Sequence, residues 1–201
     1  MTLREPHKPS FKEASKDALF LILRPLVRWL SIMRVRPDTL TVIGWTLALF
    51  SAVLFGLGYA RIAGAVMLLG GLFDALDGAV ARESNRMSSF GAFLDSTLDR
   101  LSESAVFGGL IFFYASSARP YEALLAAIAM TFSLLTSYAR ARAEGLNIDC
   151  KVGVLERAGR VVILSVFSIL GLSTVGLGLL AAGALVTTAQ RILHVRRATR
   201  R

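Results

Sequence analysis

The sequence predicts an all-α integral membrane protein: six transmembrane helices preceded by an N-terminal interfacial amphipathic helix. Three observations predict it. The 201 residues are 54% hydrophobic and only 18% charged, against about 25% charged in a soluble domain, and the mean hydropathy is +0.58. The apolar residues are gathered into long runs instead of alternating patterns, as spans require. The basic residues are also asymmetric. Eight precede Pro37, three fall between Arg82 and Arg100, five between Arg140 and Arg160, and five from Arg191 onward, leaving only Arg61 and Arg119 for the opposite side. This positive-inside distribution places both termini in the cytoplasm, with the cell's inner (cytoplasmic) membrane as the expected location.

The same distribution disposes of other classes. A net charge of +9 would suit nucleic acid in a soluble chain, but here anionic lipid and membrane absorb it, and no aromatic residues interleave with the basic ones to stack bases. The single cysteine, Cys150, forms no internal disulfide and has no His or second Cys beside it for zinc or redox work. The first 38 residues are too polar for a signal peptide with a continuous apolar core.

Two regions are expected: residues 1–38, a cytoplasmic tail and juxtamembrane amphipathic helix, and residues 39–201, a six-helix transmembrane catalytic domain. Residues 1–10 read as a polar tail. From Phe11 to Leu30 apolar residues alternate with Lys12, Lys16, Asp17, Arg24 and Arg28, which suits a helix lying in the interface, bent at Pro25 with Trp29 at headgroup level. Asp38 is placed to cap the first span, Thr39–Tyr59. Arg61 marks the outer turn and Ile62–Ala81 returns. Span three runs over Phe90–Tyr114 and span four over Tyr121–Arg142, followed by a cytoplasmic loop to Arg157. Val161–Leu193 must hold two crossings around Gly171–Gly176, which leaves each short.

The chemistry lies where spans two and three meet. The chain reads Asp74-x-x-Asp77-Gly78-x-x-Ala81-Arg82, eight residues, then Gly91-x-x-x-Asp95-x-x-x-Asp99. Pairs three and four apart project from one helix face each. A carboxylate near hydrocarbon needs a strong partner, and two such faces together form the hard oxygen cage that Mg²⁺ or Mn²⁺ prefers. Asp74 lies thirteen residues beyond Arg61, roughly 20 Å across a core of about 30 Å, so the four aspartates meet just below the cytoplasmic interface. Arg82 and Arg100 could neutralise only two of them. Gly78 and Gly91 stand where a side chain would narrow the cage; the other span glycines suit close helix packing. A metal-ion transporter would instead place carboxylates near the midplane with polar residues continuing to the far side, and the outer halves of spans two and three carry no charge.

This stretch resembles the signature of the CDP-alcohol phosphatidyltransferase family. Each of its eight fixed positions is met between Asp74 and Asp99, and the six spans with an amphipathic N-terminal helix extend the resemblance over nearly the whole chain. It implies transfer of a phosphatidyl group from a CDP-linked lipid, such as CDP-diacylglycerol, to an alcohol with release of CMP. It also implies a two-metal site held by Asp74, Asp77 and Asp95, with Asp99 at its edge as ligand and as general base for the acceptor hydroxyl. Gly78 and Ala81, with Asp74 and Gly91, resemble the positions against which the nucleotide rests, and Arg82 a contact to the nucleotide or its diphosphate. The elementary chemistry agrees: two divalent ions neutralise the diphosphate and stabilise leaving CMP. The acceptor hydroxyl loses its proton either to Asp99 or late, after metal contact has made it more acidic. A homodimer through the spans is implied as well.

For the acceptor, Arg140, Arg142, Lys151, Arg157 and Arg160 supply cations beside the metal site, suited to a soluble phosphorylated polyol. Arg157 and Arg160 begin span five, where unpaired helix amides also favour phosphate. The stretches Asp99–Leu110 and Ser137–Glu144 look most like the branch that makes phosphatidylinositol phosphate from inositol phosphate. That branch commonly carries Lys where Arg140 stands; an arginine binds phosphate through its fork instead of as a point charge. Glycerol phosphate is the nearest rival acceptor, followed by free inositol or serine, and an isoprenoid ether donor lipid remains open.

Overall fold

The computed structural model describes residues 23–84 and 88–200. The polar tail, the first part of the expected amphipathic helix and residues 85–87 of the loop between spans two and three lie outside the described residues. Helix α1 is described over residues 23–32. Six further helices follow: α2 (Pro37–Gly56), α3 (Ala60–Glu83), α4 (Ser89–Ser116), α5 (Pro120–Glu144), α6 (Arg157–Ile169) and α7 (Ser173–Ala198). No strand occurs among the described residues.

Local sequence explains the boundaries. Helix α2 begins at Pro37, with Arg36 as the extended residue before it. Proline at the first helical position has its φ preset and no N–H to leave unsatisfied, so the helix starts there. Asp38, expected as the cap, instead sits in the first turn without a capping bond, where its charge meets the positive end of the helix dipole. Helix α4 has a built cap: the Ser88 Oγ accepts from the Gly91 amide at 2.9 Å. Between α6 and α7 the chain reverses at Gly171, whose φ of +78° favours glycine.

Contacts between the helices close a ring in the order α2, α3, α6, α7, α5, α4 and back to α2. All six contribute to one core, including Phe55, Met67, Phe107, Leu110, Ala126, Leu164 and Leu180. Small residues set the spacing. A Cβ on Gly44 would sit 3.1 Å from the Gly70 carbonyl oxygen, and one on Gly70 would sit 3.2 Å from that of Gly44. A Cβ on Gly109 would run into the Ala52 carbonyl. A second cluster joins α1 to the end of α3 that carries the acidic motif: Val27 packs with Leu40, Leu76, Ala79 and Val80.

Four helices, α2, α3, α5 and α7, are long and apolar enough to cross a membrane. Helix α4 has 28 residues, but it carries Asp95, Asp99, Arg100 and Glu103 within residues 95–103. Helix α6 has 13 residues, about 20 Å of rise against a hydrocarbon core of about 30 Å. The expectation that residues 161–193 would divide into two short crossings is therefore corrected. The turn comes early, at residues 170–172, and α7 continues past Leu193 into the basic segment for 26 residues. Only α6 is short.

Candidate metal and active site

Helices α3 and α4 bring three of the four aspartates together. One carboxylate oxygen from each of Asp74, Asp95 and Asp99 lies within 4.8 Å of the others. Ligands on opposite sides of a divalent ion bonded at about 2.0–2.5 Å are separated by about 4–5 Å, so this donor set fits Mg²⁺ or Mn²⁺ in both spacing and hardness. Asp77 stands outside this triad. It is 6% exposed and turned toward α2, where its Oδ2 accepts from the Thr41 Oγ1 at 2.5 Å. A three-residue step rotates a helical side chain by about 300° at 3.6 residues per turn, enough for Asp74 and Asp77 to meet different neighbours.

The strongest cation at the site arrives from α6. Arg157 donates from Nη1 to Asp74 Oδ2 at 2.5 Å, and its Nη2 lies 2.8 Å from Asp99 Oδ1. It thus bridges the two acidic helices at the triad. One turn on, Arg160 is 2% exposed and makes a fork to Glu103 of α4, Nε to Oε1 at 2.7 Å and Nη2 to Oε2 at 3.0 Å. Its Nη2 also reaches the Ser137 Oγ of α5 at 3.4 Å. The other cations lie elsewhere. Arg140 pairs with Glu144 at 2.8 Å and Lys151 with Asp149 at 2.9 Å, both exposed. Arg142 is exposed and borders an apolar cavity of about 340 Å³ between α5 and α7. Of the five cations grouped by sequence, three (Arg140, Lys151 and Arg160) are therefore held by separate carboxylates, and Arg157 is the one paired with the aspartate triad.

Behind the triad a cavity of about 40 Å³ is lined by Thr41, Trp45, Gly70, Asp74, Asp99, Glu103 and Arg157, among others. Two buried donors on its wall, the Trp45 Nε1 and the Arg157 Nε, have no partner among the described residues. Buried donors are nearly always paired, so both are available to an oxygen-bearing ligand. Gly78 faces space: the one atom within 4 Å of an added Cβ is the Arg82 Nη1, at 3.4 Å. Gly91 is different, because a Cβ there would meet its own capping serine oxygen at 2.9 Å. Ala81 is half-buried and Arg82 exposed on the same turn.

Sequence reasoning missed three parts of this arrangement. Glu103 continues the spacing Asp95, Asp99, Glu103 along one face of α4, a third carboxylate in an apolar run, and that periodicity was a readable signal. Thr41 carried none. The third part is a polar stripe on α7. The Thr187 Oγ1 accepts from the Leu155 amide at 3.0 Å and the Gln190 Oε1 from the Val154 amide at 3.1 Å. Arg191, 4% exposed, donates from Nε to the Val152 carbonyl at 3.0 Å and from Nη1 to that of Thr136 at 2.5 Å. The His194 Nε2 lies 2.9 Å from the Asp149 carbonyl. Positions 187, 190, 191 and 194 share one helical face. They fasten the loop that leads into Arg157.

Comparison with known proteins agrees with this geometry. The family model described as CDP-alcohol phosphatidyltransferase matches residues 34–190. The archaetidylinositol phosphate synthase of Methanothermobacter thermautotrophicus is 36% identical, over 79% of this chain and 82% of its own. The crystal structure of Mycobacterium tuberculosis phosphatidylinositol phosphate synthase with CDP-DAG bound superposes with a TM-score of 0.76 at 34% identity, covering 85% of this chain and 92% of that one. The structure of the same enzyme with manganese and citrate gives 0.77 at 34% identity, covering 85% and 87%. Fold, acidic signature and sequence identity coincide over most of its length, and the chain belongs to the CDP-alcohol phosphatidyltransferase family, as a multi-pass membrane enzyme that uses a divalent metal.

Proposed function

We propose that this enzyme transfers a phosphatidyl group from a CDP-linked diacyl lipid to inositol phosphate. The acceptor hydroxyl oxygen forms a bond to the lipid-bearing phosphorus, the bond from that phosphorus to the bridging oxygen breaks, and CMP leaves with that oxygen and its electron pair. The observation that carries this reading is the convergence of Asp74, Asp95 and Asp99 from two helices beside Arg157. Divalent metal, as two ions, would supply charge neutralisation at the diphosphate. Asp74, Asp95 and Asp99 hold it, with Asp77 contributing from the α2 side. Asp99 takes the hydroxyl proton, and the Arg157 guanidinium in contact with it supports an acceptor that approaches from that side. Gly78, Ala81 and Arg82 offer the nucleotide an open helix face, and Gly91 faces it from the start of α4.

Inositol phosphate is favoured as acceptor because the archaetidyl and phosphatidyl enzymes similar to this chain share that headgroup in their names and differ in the lipid. Arg157 is the first candidate for its phosphate. Arg160 follows through its place one turn on, with Arg140, Arg142 and Lys151 as an outer cationic rim. The archaetidyl relative favours a second donor, a CDP-linked isoprenoid ether lipid.

The charge asymmetry supports six crossings in the cytoplasmic membrane, with both termini and the site on the cytoplasmic side. In that arrangement α4 and the short α6 cross beside the four apolar helices, and α1 lies in the interface against α3. Glycine-rich helix faces support a homodimer, which detergent-resolved and nanodisc mass would test. The function is tested by an acceptor panel of inositol phosphate, glycerol phosphate, inositol and serine with labelled CDP-diacylglycerol, run in parallel with the ether donor. CMP release with inositol phosphate is expected. Preference for free inositol or serine would overturn the phosphate argument, and preference for glycerol phosphate would overturn the acceptor assignment alone.

A further inference from the structure

We infer that Thr41 is a positioning residue for the metal site, acting through Asp77; the inference rests on the metal-dependent reading above. Asp77 is the one aspartate of the signature outside the triad, and the Thr41 Oγ1 to Asp77 Oδ2 contact of 2.5 Å is its link to α2. That hydroxyl also lies 3.2 Å from the Pro37 carbonyl, a backbone contact of the kind threonine makes one turn back in a helix. Its single proton goes to the carboxylate, the nearer acceptor. A carboxylate with one oxygen engaged by a fixed donor keeps the other as a ligand atom of defined direction, the means by which outer residues orient metal ligands.

Thr41 is well suited to this. It is anchored on α2, whose Gly44 packs against Gly70 of α3 with almost no intervening side chain. The distance from its backbone to the acidic face of α3 is therefore set by close helix contact and not by a flexible side chain. It also lines the cavity that Asp74 and Asp99 border, so the residue whose hydroxyl holds Asp77 stands on the wall of the triad's own cavity. A threonine that only closed a helical turn would have no reason to face a carboxylate on the neighbouring helix.

The test is Mn²⁺ binding to the full-length protein purified in detergent, followed by the loss of free Mn²⁺ signal in electron paramagnetic resonance, with a thermal melt of each sample. Thr41→Val keeps the shape and removes the donor. It should weaken Mn²⁺ binding by about 10-fold or more, the range seen when residues behind a metal ligand are removed, while the melting temperature stays near wild type. Thr41→Ser keeps the hydroxyl and should bind Mn²⁺ within about twofold of wild type. Wild-type Mn²⁺ affinity in Thr41→Val would overturn the inference and leave the metal site standing. So would a lowered melting temperature at unchanged affinity, which would mark Thr41 as structural. A wild-type protein that binds no Mn²⁺ would overturn both readings.

Discussion

The buried pair between Glu103 and Arg160 offers the sharpest test of how charge is used inside this helix ring. It joins α4 to α6, which are not neighbours in the ring, and Arg160 also reaches Ser137 on α5. Replacing Glu103 with Ala leaves a guanidinium 2% exposed without its two charge-assisted bonds. Breaking a buried pair by removing one partner costs about 3–5 kcal/mol. For a chain of this size that corresponds to a fall of about 6–20 °C in Tm, measured by thermal unfolding in detergent. The double variant Glu103→Leu with Arg160→Met removes both charges and keeps volume, and should recover most of the loss, because a buried pair seldom outperforms apolar packing. The double variant then isolates function. With folding restored, an acceptor KM that rises while CDP-lipid affinity holds would assign Arg160 to the acceptor phosphate. A Glu103→Ala protein that melts within about 3 °C of wild type, equivalent to about 1 kcal/mol, would refute the reasoning that this pair spans the ring as a unit.

Three further outcomes are expected. Turnover should collapse on chelation and return with Mg²⁺ or Mn²⁺, and Asn at Asp74, Asp95 or Asp99 should lower it by about 100-fold or more, beyond the range of residues behind a ligand; wild-type rates with intact metal stimulation would remove that residue from the site. Gly78→Leu should weaken CDP-lipid binding with little change in Tm, since an added Cβ meets only the Arg82 side chain; normal binding would show that the open face is not used. Arg157→Ala should raise the acceptor KM by about 10- to 150-fold, the equivalent of one charge-assisted hydrogen bond of about 1.5–3 kcal/mol, with CDP-lipid affinity nearly unchanged; steady-state kinetics in both substrates separates the two.

The membrane class, the helix order and the identity of the acidic site were determined by sequence alone, because each rests on a local or periodic property. Apolar runs report membrane helices, and aspartates three or four apart fall within one broad face of a helix. The family signature lies in one contiguous stretch, Asp74 to Asp99, so it too could be read without a fold. Tertiary structure decided which of these groups meet. The sequence placed four aspartates in one cage. Packing closed three and turned Asp77 to Thr41, a partner 36 residues away that no spacing could announce. It likewise divided a single basic group: Arg157 joined the triad, Arg160 joined Glu103, and Arg140 and Lys151 stayed with exposed neighbours. A charged side chain takes whichever opposite charge the packing brings within reach. That choice depends on how close α2, α3, α4 and α6 come, which small residues such as Gly44 and Gly70 set across the interface and not along the chain.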